Sequence, residues 1–135
     1  TDDGEVSAVI VDRKGREIPY HADAFVLATG GLVGKGIDSS REGVREPLFD
    51  CYIPHPDDRY DWFVDDAFGD HPFTSFGVVP DDRLRPTRAD GHAEFENLFA
   101  AGGVVGGANV AAEKSASGVS LATGVVAGRA AGDSV

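Results

Sequence analysis

Two glycine pairs, each following a short apolar run, are the features of this sequence best suited to chemistry. The first run is Phe25-Val-Leu-Ala-Thr-Gly-Gly31 and the second is Leu98-Phe-Ala-Ala-Gly-Gly103. In an open α/β sheet, ligands bind beyond the carboxyl ends of the strands, where glycine lets the backbone approach a bulky ligand closely. Either pair alone also fits a tight strand-to-loop turn that holds no ligand.

A predicted helix after the second pair strengthens the ligand interpretation. Its first turn, Ser117-Gly118-Val119-Ser120, would present unpaired backbone N–H groups and the positive end of the helix dipole. Such a terminus suits a phosphate, or the polarised carbonyl and N1 edge of an isoalloxazine ring.

The period of this helix predicts which face packs. Ser115 or Ser117 is placed to cap its start and Gly132 to end it. One helical stripe contains Gly118, Leu121, Ala122, Val125 and Arg129, with Val119, Val126 and Ala130 beside it. A second stripe of small residues, which we interpret as a packing surface, contains Ser120, Gly124, Gly128 and Gly132.

The rest of the chain must position these segments, and its pattern predicts an α/β domain in three parts. Residues 1–31 read as a β-hairpin followed by a strand at 24–28 that is buried on both faces. Residues 32–76 lack a sustained period and form an irregular insertion with one short helix near 60–67. Residues 77–135 contain short strands near 77–79, 84–86 and 98–101, a glycine-rich loop and the C-terminal helix.

Composition bounds the class of protein. The chain has 135 residues, enough for one domain, and 23 acidic against 12 basic residues, a net charge of −11. Such a surface repels nucleic acid and anionic membranes. We interpret the excess of carboxylates as salt adaptation, with an acidic partner-binding face as the alternative. The most apolar stretch, residues 98–112, is too short to span a bilayer.

Several reactive side chains do not form a recognisable site. The four histidines have no metal-ligand spacing, and the single cysteine, Cys51, gives neither a zinc signature nor an internal disulfide, so we predict no metal site. Neighbouring aspartates fit a salt-adapted surface better than a pair of catalytic carboxylates. Four arginines either bind a phosphate or pair with nearby carboxylates: Arg41, Arg45, Arg85 and Arg88.

Taken together, these motifs resemble a known group of flavoproteins. FVLATGG at 25–31, ENLFAAGG at 96–103 and SASGVSLATG at 115–124 are similar to the C-terminal part of the fumarate reductase-like flavoprotein superfamily. Within it, the chain resembles the B-subunit family of anaerobic glycerol-3-phosphate dehydrogenases. That likeness rests on REGVREP at 41–47, HPF at 71–73, FGV at 76–78, LRPT at 84–87 and the closing segment.

The resemblance implies a fold, a cofactor and partners. The fold would be the C-terminal part of a Rossmann-like flavin-binding domain, and the cofactor a flavin, FMN in this family with FAD as the alternative. The partners would be a catalytic flavoprotein (the A subunit) and a membrane-associated iron–sulfur protein (the C subunit), which passes electrons to the quinone pool from the cytoplasmic side of the membrane. His71 would lie within reach of the flavin. The implied flavin contacts are Thr29, Gly30, Gly31, Gly102, Gly103, Ser117, Gly118, Val119 and Ser120.

Two departures from the flavoprotein pattern keep other functions open. Gly103 stands where many relatives have an acid that binds a ribityl hydroxyl, and no G-x-G-x-x-G phosphate loop occurs. We therefore expect a fragment that by itself binds flavin weakly or not at all and is inactive. We also expect it to pair with a second copy through exposed apolar surface. The alternatives are a fumarate reductase or succinate dehydrogenase-type flavoprotein, whose arginine and histidine set is not matched here, and a non-catalytic subunit-interaction domain.

Overall fold

A computed structural model describes residues 4–135, so the first three residues of the predicted hairpin segment lie outside it. The elements are β1 (Ala8–Asp12), β2 (Glu17–His21), β3 (Phe25–Leu27), β4 (Asp38–Ser39), β5 (Val44–Arg45), β6 (Leu98–Ala100), α1 (Val110–Glu113) and α2 (Ala116–Asp133). Three single-turn 3₁₀ helices occur at Arg59–Trp62, Pro72–Ser75 and Gly102–Val104.

The predicted hairpin is confirmed. β1 and β2 pair antiparallel from Ala8 opposite His21 to Asp12 opposite Glu17. Its turn places Lys14 and Gly15 at positive φ, and the Gly15 N–H donates to the Asp12 carboxylate at 2.8 Å. An aspartate that accepts from the turn backbone, followed by a glycine, is the chemistry that a tight turn requires.

The two strands that precede the glycine pairs lie side by side. β3 and β6 pair parallel, with Phe25 opposite Leu98 and Leu27 opposite Ala100. β6 lies where a strand was predicted and is buried along its whole length. The expectation that β3 is buried on both faces is wrong, because this sheet has only two strands and Val26 remains 45% exposed.

Helix α2 packs on this strand pair through a different face from the one predicted. Ala127 is fully buried against Phe99, with Ala130 and Ala131 beside them. Leu121, on the predicted stripe, is 72% exposed. Alanine allows the helix to lie close to the sheet, so the larger side chains end up on the outer surface.

The glycines of the small-residue stripe do not pack against residues 4–135 either. A Cβ added at Gly124, Gly128 or Gly132 would meet nothing within 4 Å. The predicted start of the helix is confirmed in position at Ser115 but not in its capping bond, and the predicted end is wrong. Ser115 occupies the N-cap position without a side-chain cap, because its hydroxyl bonds the Glu113 carboxylate at 3.1 Å instead, and the helix continues past Gly132 to Asp133.

The insertion contains little regular structure. The helix expected near 60–67 is a single 3₁₀ turn at Arg59–Trp62, capped by the Asp58 side chain and ended by extended backbone at Phe63. The strands expected at 77–79 and 84–86 occur only as isolated bridges, Val78 with Val105 and Pro80 with Pro86.

One buried amide joins the hairpin to the parallel strands. The Asn97 side chain accepts from the Val6 N–H at 2.8 Å and donates to the Val6 and Asp23 carbonyls at 2.9 and 3.0 Å. Asn97 is 7% exposed, and it directly precedes β6. It therefore holds the chain on both sides of the hairpin, at Val6 and Asp23, against the start of β6.

Candidate functional site

The two glycine pairs meet at the carboxyl ends of β3 and β6. A Cβ on Gly31 would lie 2.6 Å from the Gly103 carbonyl oxygen, and a Cβ on Gly103 would lie 3.0 Å from the Gly31 nitrogen. Backbone rather than side chain fills the space between the loops, so neither position tolerates a larger residue without a backbone shift. The result is a ridge of bare backbone at this edge of the sheet.

Helix α2 holds one of these glycines in place. The Gly102 N–H donates to the Thr123 hydroxyl at 2.8 Å, and that hydroxyl donates to the Val119 carbonyl at 2.6 Å. Gly102 has a φ of +72°, a conformation that favours glycine, and the Ser120 hydroxyl lies 3.7 Å from the position its Cβ would take. The helix and the second glycine pair therefore form one unit.

Thr29 belongs to a turn that folds back behind the first pair. A Cβ on Gly36 would lie 2.2 Å from the Gly30 carbonyl oxygen and 2.5 Å from that of Thr29. The Gly36 N–H donates to the Gly31 carbonyl at 3.1 Å, which closes the turn. The backbone around Gly36 thus packs directly against the first glycine pair and holds it in place.

The structure brings together most of the predicted contacts. Gly30 and Gly31 meet Gly103, while Gly102 meets Ser120. Ser117 and Gly118 are exposed on the first turn of the same helix, and Val119 is half-buried there. Sequence reasoning missed Thr123. The sequence feature that could have indicated Thr123 is a hydroxyl side chain on the same face of the helix as Ala127 and Ala130.

The arrangement fits the ring of a flavin better than its ribityl and phosphate part. A bare backbone ridge beside the N-terminus of an 18-residue helix suits a flat ring with a polarised carbonyl. No lysine or arginine occurs among the nine predicted contacts, and Gly103 offers no carboxylate to a ribityl hydroxyl. These residues can therefore hold the ring, while a phosphate group would need cationic or loop contacts from elsewhere.

The other reactive groups serve local structure. His71 accepts from the Val64 N–H at 3.1 Å through Nδ1, and its Nε2 lies 3.2 Å from the Ala67 carbonyl oxygen, so both ring nitrogens close one loop. Burial raises the pKa of the Cys51 thiol to about 12, and the carboxylates of Glu46, Glu94 and Asp50 add to that effect.

Two of the four arginines pair with carboxylates. Arg85 contacts Asp81 at 2.8 Å and also Glu96, and Arg88 contacts Glu94 at 3.4 Å. Burial opposes ionisation of Asp81, yet hydrogen bonds from the Arg85 and Arg83 backbone and from the Arg85 side chain hold its pKa below the ordinary value. For Arg85 and Arg88 the carboxylate-pairing interpretation is therefore confirmed.

The described part of the chain offers no cluster of three or more histidine, cysteine or acidic side chains that could hold a metal ion. No helix within residues 4–135 is both long and apolar enough to cross a membrane.

Comparison with known proteins gives a consistent family. Residues 1–119 match the family described as the FAD binding domain. The chain is 61% identical over 132 residues to the B subunit of a probable anaerobic glycerol-3-phosphate dehydrogenase of Halobacterium salinarum, covering 98% of this chain and 31% of that protein. No solved structure matches.

More distant relatives carry the same name. The B subunit of the anaerobic glycerol-3-phosphate dehydrogenase of Aliivibrio fischeri is 34% identical over 110 residues, 80% of this chain and 24% of that protein. The Yersinia pseudotuberculosis protein of that name is 35% identical over 116 residues, 86% of this chain and 27% of that protein. The chain therefore spans less than a third of the length of these curated relatives.

Proposed function

This chain belongs to the FAD binding domain family, and from that premise we propose that it forms the C-terminal part of the B subunit of an anaerobic glycerol-3-phosphate dehydrogenase. In that role it completes a Rossmann-like flavin domain, in which the flavin carries electrons from the oxidation of glycerol 3-phosphate towards the quinone pool. The observation that carries the proposal is the meeting of both glycine pairs with the start of α2 at the carboxyl ends of β3 and β6.

The glycine pairs, the first turn of α2 and Thr123 would each play a different part in binding the flavin. The bare backbone at Gly31 and Gly103 permits close approach of a flat ring. The first turn of α2 places N–H groups and a positive dipole where negative charge would be stabilised. Thr123 would hold the Gly102 backbone in position through the hydrogen bond that its hydroxyl accepts.

The partners and location follow from the same proposal. The catalytic A subunit would oxidise the substrate, and the iron–sulfur C subunit would attach the complex to the cytoplasmic face of the membrane. The names of the relatives, each a B subunit, support an assembly of several subunits. The flavin of the family description is FAD, whereas we expect FMN in this protein.

A second function is favoured by one observation. Gly103 gives no carboxylate, so the site lacks a group that would bind the ribityl chain. A subunit-interaction domain with a degenerate flavin site would have this feature. Flavin content distinguishes the two functions directly.

The first experiment is a visible absorbance spectrum of the full-length protein, purified in high salt. We expect flavin absorbance, with FMN released on denaturation, and turnover of glycerol 3-phosphate rather than fumarate when the complex is assembled. A colourless protein that takes up neither FMN nor FAD would instead establish the interaction domain.

A pair of glycine substitutions locates the flavin. In Gly31→Ala the new Cβ would lie 2.6 Å from the Gly103 carbonyl oxygen, so we expect the full-length protein to lose most of its flavin. Gly128→Ala, where a Cβ meets nothing within 4 Å, is the matched control and should retain it. Equal flavin content in both variants would show that the glycine ridge is not the binding site.

A further inference from the structure

A large pocket opens in the insertion between β3 and β6. It encloses about 820 Å³, a volume within the range of small-molecule sites. Its walls come from the turn after Gly31, from β4 and β5, and from the first two 3₁₀ helices and the residues that follow them. None of the nine predicted flavin contacts lines it.

Several aromatic rings line the pocket. Trp62 is 8% exposed and packs edge-on against Phe76, with ring centroids 5.8 Å apart. The Trp62 indole N–H donates to the Pro56 carbonyl at 2.7 Å, which fixes the orientation of the ring. Phe63 and Phe73 line the same pocket and remain 48% and 37% exposed. The rings thus form a preformed surface on which a flat molecule can stack.

Two cations line the same pocket. The Arg59 guanidinium lies 5.5 Å from the centroid of the Trp62 ring, and Lys35 comes from the turn after Gly31. Neither forms an ion pair with a carboxylate of residues 4–135 within 4 Å. Asp38 is the single acidic residue of the lining. The lining therefore carries two cations against one carboxylate, which favours an anionic ligand at this place in a chain of net charge −11.

We propose that this pocket binds a planar aromatic ring that carries an anionic group. The ring would stack among Trp62, Phe63 and Phe73, while its carboxylate or phosphate would face Arg59 and Lys35. A polyol phosphate could face the same cations but offers no flat apolar surface to the aromatic side chains, so it fits less well. The proposal goes beyond the proposed function and stands without it.

Trp62 is the only tryptophan of the chain and reports binding directly. Titration of the 135-residue chain with 2-naphthoate, at constant high salt, should quench Trp62 fluorescence to saturation. Octanoate has the charge without the ring, and 2-naphthylmethylammonium has the ring with the opposite charge. We expect both to bind on the order of tenfold more weakly than 2-naphthoate.

Matched variants connect the binding to these residues. Arg59→Gln should weaken 2-naphthoate binding about fivefold, and Phe63→Leu about threefold or more. Arg13→Gln in the hairpin turn and Phe68→Leu, whose side chain is 99% exposed outside the pocket, should leave the affinity unchanged. All four positions are exposed, so each variant should retain the fold.

A competition experiment identifies the source of the ligand. If FMN displaces 2-naphthoate and the Arg59→Gln variant weakens both, the natural ligand is a flavin; if FMN does not displace it, the ligand is another planar anion. The proposal is overturned if 2-naphthoate gives no saturable quenching, or if octanoate binds as tightly. It is also overturned if light scattering shows a dimer that Phe63→Leu dissociates, since the pocket would then be an interface between two copies.

Discussion

Asn97 shows how a single buried amide can join distant parts of the chain. Its three hydrogen bonds reach Val6 and Asp23, which lie far away in sequence. In Asn97→Ala the buried backbone groups of Val6 lose their partner, and we expect the free energy of unfolding to fall by about 2–3 kcal/mol. Urea denaturation at constant high salt measures it.

The control for this prediction is a second asparagine. Asn109 caps the short helix α1 by accepting from the Ala112 N–H at 3.2 Å and donates to Asp70 at 3.4 Å. Both bonds are exposed to solvent, so Asn109→Ala should cost about 1 kcal/mol or less. Equal losses for Asn97→Ala and Asn109→Ala would contradict a special role for the buried amide.

The Cys51 thiol gives a prediction that depends on pH. Its pKa rises from the ordinary value of 9.0 to about 12 because the side chain is buried beside carboxylates. The unfolded chain therefore releases this proton first as the pH rises. The contribution of the neutral thiol to the free energy of unfolding is fully present below pH 9.0 and is lost as the pH rises from 9.0 to about 12.

Over that range we expect the free energy of unfolding to fall by up to about 1.4 kcal/mol per pH unit more in the wild type than in Cys51→Ala. Urea denaturation of both proteins at about pH 8 and about pH 10 measures the difference. Identical pH dependence of the two would contradict it. The folded thiol should also resist alkylation at the lower pH and react once urea unfolds the chain.

At the scale of elements, α2 and the second glycine pair depend on one hydroxyl. Thr123→Val keeps the shape of the side chain but leaves the Gly102 N–H without an acceptor. We expect the free energy of unfolding to fall by about 1–3 kcal/mol, again measured by urea denaturation. Thr123→Ser retains the hydroxyl and should recover most of the loss. A stable Thr123→Val variant would show that the hydrogen bond does not hold the loop.

The sequence predicted these elements better than it predicted their contacts. The runs before Gly30 and Gly102 and the helical period after Ser115 are local patterns, and β3, β6 and α2 all formed where those patterns lie. The packed face of α2 was wrong, because alanine and glycine allow close approach from several sides and apolar periodicity does not choose between them. Thr123 and Asn97 act across long sequence separations, which a local pattern cannot reveal.

At the scale of the whole molecule, unpaired acidic charge dominates. Ion pairs within residues 4–135 are confined to Arg85 and Arg88, whereas the chain has 23 acidic residues. Salt adaptation agrees with the 61% identity to a Halobacterium salinarum protein. Mutual repulsion among carboxylates opposes folding at low ionic strength, and dissolved salt screens it.

Stability should therefore increase with salt. From dilute buffer to molar KCl we expect the free energy of unfolding to rise by on the order of 1 kcal/mol or more, measured by urea denaturation at each salt concentration. A variant with Asp57→Asn and Asp82→Asn, two exposed positions, should show a shallower increase. A flat response in the wild type would contradict salt adaptation. Pairing with a second copy stays a prediction, which light scattering in high salt tests.

The parallel pairing of β3 with β6 has a consequence for how this segment can change over generations. The chain leaves the sheet at the end of β3, and residues 28–97 form one long loop before it returns at the start of β6. Closing such a loop costs chain entropy, and the free-energy cost grows slowly with loop length, by about 0.6 kcal/mol for each doubling. The exposed turns of this segment can therefore lengthen or shorten at small cost to folding. Its buried side chains have to be kept, because Ile37, Ile53 and Val78 belong to the same core as Leu27 and Leu98. Change in this part of the chain is thus expected at its exposed turns and at the exposed side chains of the aromatic pocket, while the core positions and the strand ends stay fixed together.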